Sequence, residues 1–197
     1  MMFGINQKRV FASAATAALV FAATANADVV WDEAIDGSLS TDRFNTTDFG
    51  TLAVGSNNAI GSTVSGISKF FTFTISEGTE FSALVVDGWE SLDDLGFLGI
   101  VEGDFFDVDP AAPDVTQLLG YYHYGLEDIG LDILPAMGAA PGAQGFDAPL
   151  GPGTYSFWVR QGGPDIADWN LNFVVTPTPG AIAILALGGF AGTRRRQ

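Results

Sequence analysis

Short runs of alternating apolar and polar residues, each closed by Gly, Asn, Asp, Ser or Pro, constrain this chain more than any other feature. Lys69 to Ile75 reads Lys-Phe-Phe-Thr-Phe-Thr-Ile, so a strand there puts Phe71, Phe73 and Ile75 on one face and Thr72 and Thr74 on the other. Phe81 to Asp87 reads as a second strand ending at the turn dipeptide Asp87-Gly88. Leu95 to Val101 is almost continuously apolar, as a strand covered on both faces should be. Leu118 to Tyr124 is aromatic-rich, and Tyr155 to Gln161 and Trp169 to Val175 read as a closing pair joined by Gly162-Gly163-Pro164-Asp165. Gly50 to Val54 and Ser62 to Ser65 are weaker strands, and only Glu127 to Met137 has room for a helical turn. About eight strands separated by turn residues predict an all-β fold, a single jelly-roll-like β-sandwich, rather than βαβ units.

The chain has no cysteine, so neither a disulfide framework, a thiolate metal site nor a cysteine nucleophile is available. Its one histidine, His123, excludes any site that needs two within the chain. A Ser-His-Asp arrangement would have to use His123 as base, and no G-x-S-x-G elbow accompanies it.

Both ends read as targeting segments. Lys8-Arg9 precede an apolar stretch from Val10 to Ala23, and Ala25-Asn26-Ala27 is an A-x-A cleavage site, so residues 1–27 are expected to be a secretory signal peptide with the mature chain opening near Asp28. At the other end, Pro177-Thr178-Pro179 precede an uncharged run from Gly180 to Thr193, then Arg194-Arg195-Arg196 and Gln197. A helix over that run spans about 21 Å, short of the roughly 30 Å hydrocarbon core unless the arginine stems extend it. The arginines should remain cytoplasmic. Residues 28–175 are left as the folded domain and 176–197 as a sorting or anchoring segment, a short hydrophobic helix that touches the membrane.

This tail resembles the PEP-CTERM sorting signal of bacterial exported proteins, with a Pro-x-Pro motif, an Ala-, Leu- and Gly-rich helix and an arginine cluster in order; Thr178 stands where that family carries Glu. The resemblance implies an exosortase-like processing enzyme acting near Pro177, Thr178 and Pro179, and a place at the cell envelope, cell surface or polysaccharide matrix. The domain itself carries Lys69-Phe70-Phe71-Thr72-Phe73-Thr74-Ile75-Ser76-Glu77-Gly78-Thr79 and Gly151-Pro152-Gly153-Thr154-Tyr155-Ser156-Phe157-Trp158-Val159. These resemble two strand motifs of bacterial pre-peptidase C-terminal domains, small β-sandwiches of secreted proteins. The Asp-x-Asp that precedes the first motif in that family is replaced here by Gly66-Ile67-Ser68, and no metal role carries over with it.

Five of the eight basic residues lie in the two end segments, so Arg43, Lys69 and Arg160 face all 23 acidic residues, a formal charge of about −20. That balance makes nucleic acid and anionic lipid headgroups poor partners, so no nucleic acid is expected, while cations are attracted. Asp104, Asp107 and Asp109 place three carboxylates in six residues and are the candidate calcium ligands, although the Gly and terminal Glu of an EF-hand loop are missing. Their alternative is an acidic turn with Phe105 or Phe106 packed inward. Trp158 and Arg160 share one face of their strand and form a candidate sugar-binding platform, with Trp89, Tyr122 and Tyr124 as possible additions; the alternative is that loops cover Trp158.

The expected function is therefore non-catalytic, without a cofactor unless calcium binds, in an exported protein of the cell surface or extracellular matrix. The alternatives are a calcium-assisted polysaccharide-binding module and a secreted carbohydrate-active enzyme using paired carboxylates, for which Asp93-Asp94 and Glu127-Asp128 are candidates.

Overall fold

The computed structural model describes residues 28–180. The expected signal peptide with Ala25 and Ala27, and the tail with Arg194, Arg195 and Arg196, lie outside them. Nine strands form among the described residues: β1 Asp28–Asp32, β2 Thr47–Thr51, β3 Gly55–Thr63, β4 Ser68–Ile75, β5 Thr79–Glu90, β6 Gly96–Glu102, β7 Gly120–Tyr124, β8 Gly153–Gln161 and β9 Ala167–Pro177. They make an all-β structure of two mixed sheets, one four-stranded in the order β1-β3-β9-β5 and one five-stranded in the order β2-β4-β8-β6-β7. The helices are single turns, α1 at Glu33–Asp36 and α2 at Leu134–Gly138. Among the described residues no helix is long and apolar enough to cross a membrane.

The alternation in β4 does what its sequence implies. Phe71, Phe73 and Ile75 face inward and meet the four-stranded sheet: the Phe73 ring centroid is 5.0 Å from Phe173 of β9 and 5.5 Å from Phe81 of β5, both edge-on. Phe71 stacks on Phe157 of β8 at 5.1 Å. Edge-to-face and offset contacts of this kind add to the apolar area that these rings remove from water. On the opposite face of β4, Thr72 and Ser156 hydroxyls share a hydrogen bond of 2.7 Å, and Thr74 and Thr154 one of 3.0 Å.

Several expectations are corrected. β8 and β9 are consecutive but do not pair: β8 lies between β4 and β6 in one sheet, and β9 between β3 and β5 in the other. The Gly162–Asp165 connection is a crossing between sheets, not a hairpin. Every connection from β1 to β6 crosses in the same way, which is why β1 pairs parallel with β3 and β2 parallel with β4. Asp87-Gly88 is not a turn. β5 continues to Glu90, with a register shift between Val86 and Gly88, so the dipeptide sits in a bulge. β1 is a strand the pattern did not reveal, β2 lies three residues upstream of the Gly50–Val54 expectation, and Ser62 is only the end of a nine-residue β3. The domain also runs past residue 175. Pro177 pairs with Thr79, and the Thr178 N–H donates to the Gly78 carbonyl at 2.9 Å.

The segment between β6 and β7 builds a second, smaller core on the outer face of the five-stranded sheet. Phe106, Val108 and Leu118 descend onto Phe70, Val101 and Trp158. β6 is thereby covered on both faces, as its apolar run requires.

Candidate ligand-binding groove

The outward residues of the five-stranded sheet stand in lateral rows set by register. Ser68, Arg160, Phe97 and His123 are consecutive Cα partners across β4, β8, β6 and β7. Phe70, Trp158, Gly99 and Tyr121 form the next row. Gly99 leaves a gap in the second row, and Phe97 leans into it: a Cβ at Gly99 would lie 3.3 Å from the Phe97 ring. Phe97 thereby meets Trp158 at 4.6 Å, His123 at 5.2 Å and Tyr121 at 6.1 Å, the last with planes only 25° apart. Tyr121 is fixed at its far end by its hydroxyl, which donates to the Pro141 carbonyl at 2.9 Å.

Between these rings and the Pro113–Leu118 segment lies a groove of about 410 Å³ with Arg160 at its rim. On the other side of Arg160 is a polar hollow of about 590 Å³, walled by Thr41, Ser68 and Asp109. Both volumes fall in the range of small-molecule sites. Arg160 is half-buried, and the single ion pair found among the described residues is Lys69–Glu33, so Arg160 stands outside any ion pair there.

Trp158, the expected platform, is only 2% exposed, with its ring under Phe97 and Phe106. Its indole N–H has no partner. Tyr124 and Trp89 are buried in the main core, 4.9 Å apart, and burial pushes the Tyr124 hydroxyl strongly up from its ordinary pKa. Tyr122 also points inward; burial, and then the Asp128 carboxylate that its hydroxyl reaches at 3.1 Å, raise its pKa. The rings that reach the surface are instead Phe97 and Tyr121, both part-buried, and the exposed His123. Strand parity alone puts Tyr121 and His123 on one face and Tyr122 and Tyr124 on the other, so the signal was present. What parity does not give is which face the 103–119 segment covers.

Asp104, Asp107 and Asp109 are all exposed, and among the described residues no three His, Asp or Glu side chains gather as a metal site. The segment works as a clamp. Thr46 donates to the Asp104 carbonyl, the Arg43 guanidinium donates to the Asp107 carbonyl, and Asp109 accepts from the Ala111 N–H at 3.0 Å. Phe106 packs fully inward, while Phe105 stays 44% exposed.

Three of the four paired carboxylates are likewise taken up by backbone, and Glu127 is exposed. Asp93 accepts from the Asp165 N–H at 3.0 Å and Asp94 from the Leu126 N–H at 2.9 Å. Asp128 accepts from the Gly125 N–H at 2.9 Å. A larger concavity of about 740 Å³ runs past Trp89, Trp169, Glu33 and Lys69, where the one cation is committed, while Glu90 and Asp168, cross-strand partners on β5 and β9, line it as exposed carboxylates. Lys69 Nζ donates to both Glu33 carboxylate oxygens and to the Ser62 carbonyl, at 2.6–2.8 Å. Glu33 also accepts from the Leu39 and Ser62 N–H groups. Burial acts to raise the Glu33 pKa, but these hydrogen bonds outweigh it and hold the carboxyl below its usual value.

The chain matches no protein-family model, no curated protein and no solved structure.

Proposed function

We propose that this chain is an exported, non-catalytic protein of the cell surface or extracellular matrix, delivered by residues 1–27 and sorted through Pro177-Thr178-Pro179 and the arginine-ended tail by an exosortase-like enzyme. The observation that carries the non-catalytic reading is the use made of the paired carboxylates. Asp93, Asp94 and Asp128, three of the four carboxylates that the sequence pairs, each accept a hydrogen bond from loop backbone, whereas glycoside hydrolysis needs two carboxyl groups turned to the substrate. Successive crossings between sheets support a jelly-roll-like sandwich, and the two motif strands that resemble pre-peptidase C-terminal domains, β4 and β8, are neighbours in one sheet. A second reading, a polysaccharide-binding module, is favoured by the groove that the part-buried Phe97 and Tyr121 rings and the exposed His123 line.

Fractionation of the producing cells, with mass spectrometry of the protein's two ends, tests the first reading. A start near Asp28 and an envelope or extracellular location are expected. Recovery from the cytosol with Met1 or Met2 at the N-terminus would overturn it.

A further inference from the structure

We infer that the aromatic groove and the polar hollow on either side of Arg160 are adjoining subsites of one site, and that its ligand is a neutral oligosaccharide chain. The inference deepens the surface-protein reading and rests on it for access to such a polymer. Arg160 borders both depressions, and the segment running from Asp109 to Val115 walls both. The two depressions therefore follow one another across the sheet face along the Ser68–Arg160–Phe97–His123 row, with Arg160 between them.

The two halves differ in chemistry. The Phe97 and Tyr121 rings offer an apolar surface with polar atoms only at its edge, which suits the C–H face of a pyranose. The hollow offers hydroxyl groups from Thr41 and Ser68, donors from Arg160 and an acceptor in Asp109. A sugar hydroxyl both donates and accepts, so it can use the guanidinium and the carboxylate together. A carboxylate on the ligand could use Arg160 but would meet Asp109 in the same hollow. It would also approach a domain of about −20 formal charge, with 23 acidic residues on the chain. Local attraction to one guanidinium opposes repulsion from many carboxylates, of which those within about 8 Å remain unscreened in physiological salt. A neutral polyol incurs none of that repulsion.

The test titrates the full-length protein, in mild detergent, with cellohexaose, maltohexaose and mannohexaose, and with a galacturonate hexamer of equal length. At least one neutral hexamer should bind and the uronate should neither bind nor compete. Arg160→Met should weaken neutral binding at least about tenfold, as loss of charge-assisted hydrogen bonds does. His123→Ala and Asp109→Asn should each weaken it several-fold, and Asn keeps the oxygen that accepts from Ala111. All three variants should melt with the parent, since Arg160 stands outside any ion pair among the described residues and His123 and Asp109 are exposed. Binding of the uronate alone, binding unchanged in Arg160→Met, or no binding by any hexamer overturns the inference. The fractionation result is read separately: an exported protein that binds no hexamer sinks this inference alone, and a cytosolic one that binds sinks the export reading alone.

Discussion

Lys69 and Glu33 form an ion pair of 2.7 Å in which both side chains are about nine-tenths buried. The pair ties α1 to β3 and β4, because Glu33 also accepts from Ser62 and Leu39 backbone. Removing one partner leaves a buried charge alone. Glu33→Gln should therefore cost about 3 kcal/mol in urea unfolding, whereas the double variant Glu33→Gln/Lys69→Met should recover a large part of it. Equal losses in the single and double variants would contradict this.

The same carboxyl sets an acid limit. Its pKa is lower in the folded protein than the ordinary 4.5, so the unfolded chain binds the proton more readily. Stability from Glu33 is full above that ordinary value and is lost as pH falls through the folded pKa. Melting temperature followed downward from pH 6 should drop below about pH 4.5, and the drop should be shallower in the double variant, which has no carboxyl at that position.

Neighbouring phenylalanines should behave in opposite ways. Phe106→Ala empties a fully buried position against Phe70 and Trp158, 5.6 and 5.9 Å away, and should cost about 3–4 kcal/mol. Phe105→Ala, at an exposed position, should change stability by under about 0.5 kcal/mol. Comparable losses would mean that the 103–119 segment does not hold the second core together.

Tyr124 has a buried hydroxyl with no hydrogen-bond partner. Replacing a stranded polar group by its apolar isostere removes a desolvation penalty, so Tyr124→Phe should raise the melting temperature by a few degrees. A fall instead would reveal an internal water bound there.

Divalent cations should stabilise the domain through its charge. The three aspartates of the 104–109 segment are exposed and do not converge, so sodium at matched ionic strength should reproduce most of any rise in melting temperature produced by calcium. A rise at micromolar calcium that sodium cannot mimic and that Asp107→Ala abolishes would require a coordinated ion.

The strands most legible in the sequence are those with large residues on one face, such as β4 with Phe71, Phe73 and Ile75. β3 was hidden because its inward positions are Asn57, Ala59, Gly61 and Thr63. None is a large apolar residue, and at Gly61 a ring needs the space: a Cβ there would lie 2.6 Å from the Trp169 indole. Pairing was illegible for a different reason. Turn residues report where a strand ends and not which sheet receives the next one, so Gly162–Asp165 looks the same as a hairpin or as a crossing. Phe71 finds Phe157 far along the chain, and no local signal encodes that choice. At the groove, periodicity separates Tyr121 and His123 from Tyr122 and Tyr124. Arg160 and Trp158 share a face as expected, yet Phe97 and Phe106 bury the indole and leave the guanidinium at the rim.

The Thr178–Gly78 hydrogen bond gives the C-terminal exit of the domain a mechanical meaning. β9 is held on both sides by antiparallel neighbours, β3 and β5, almost to the point where the chain leaves. Antiparallel hydrogen bonds lie across the strands, so a pull along the end of β9 loads many of them together in shear instead of opening them one by one. For a protein tethered at that end, drag on material held at the opposite sheet would enter the domain through a strand with two bonded partners. Resistance to such a load is governed by the unfolding rate rather than by equilibrium stability.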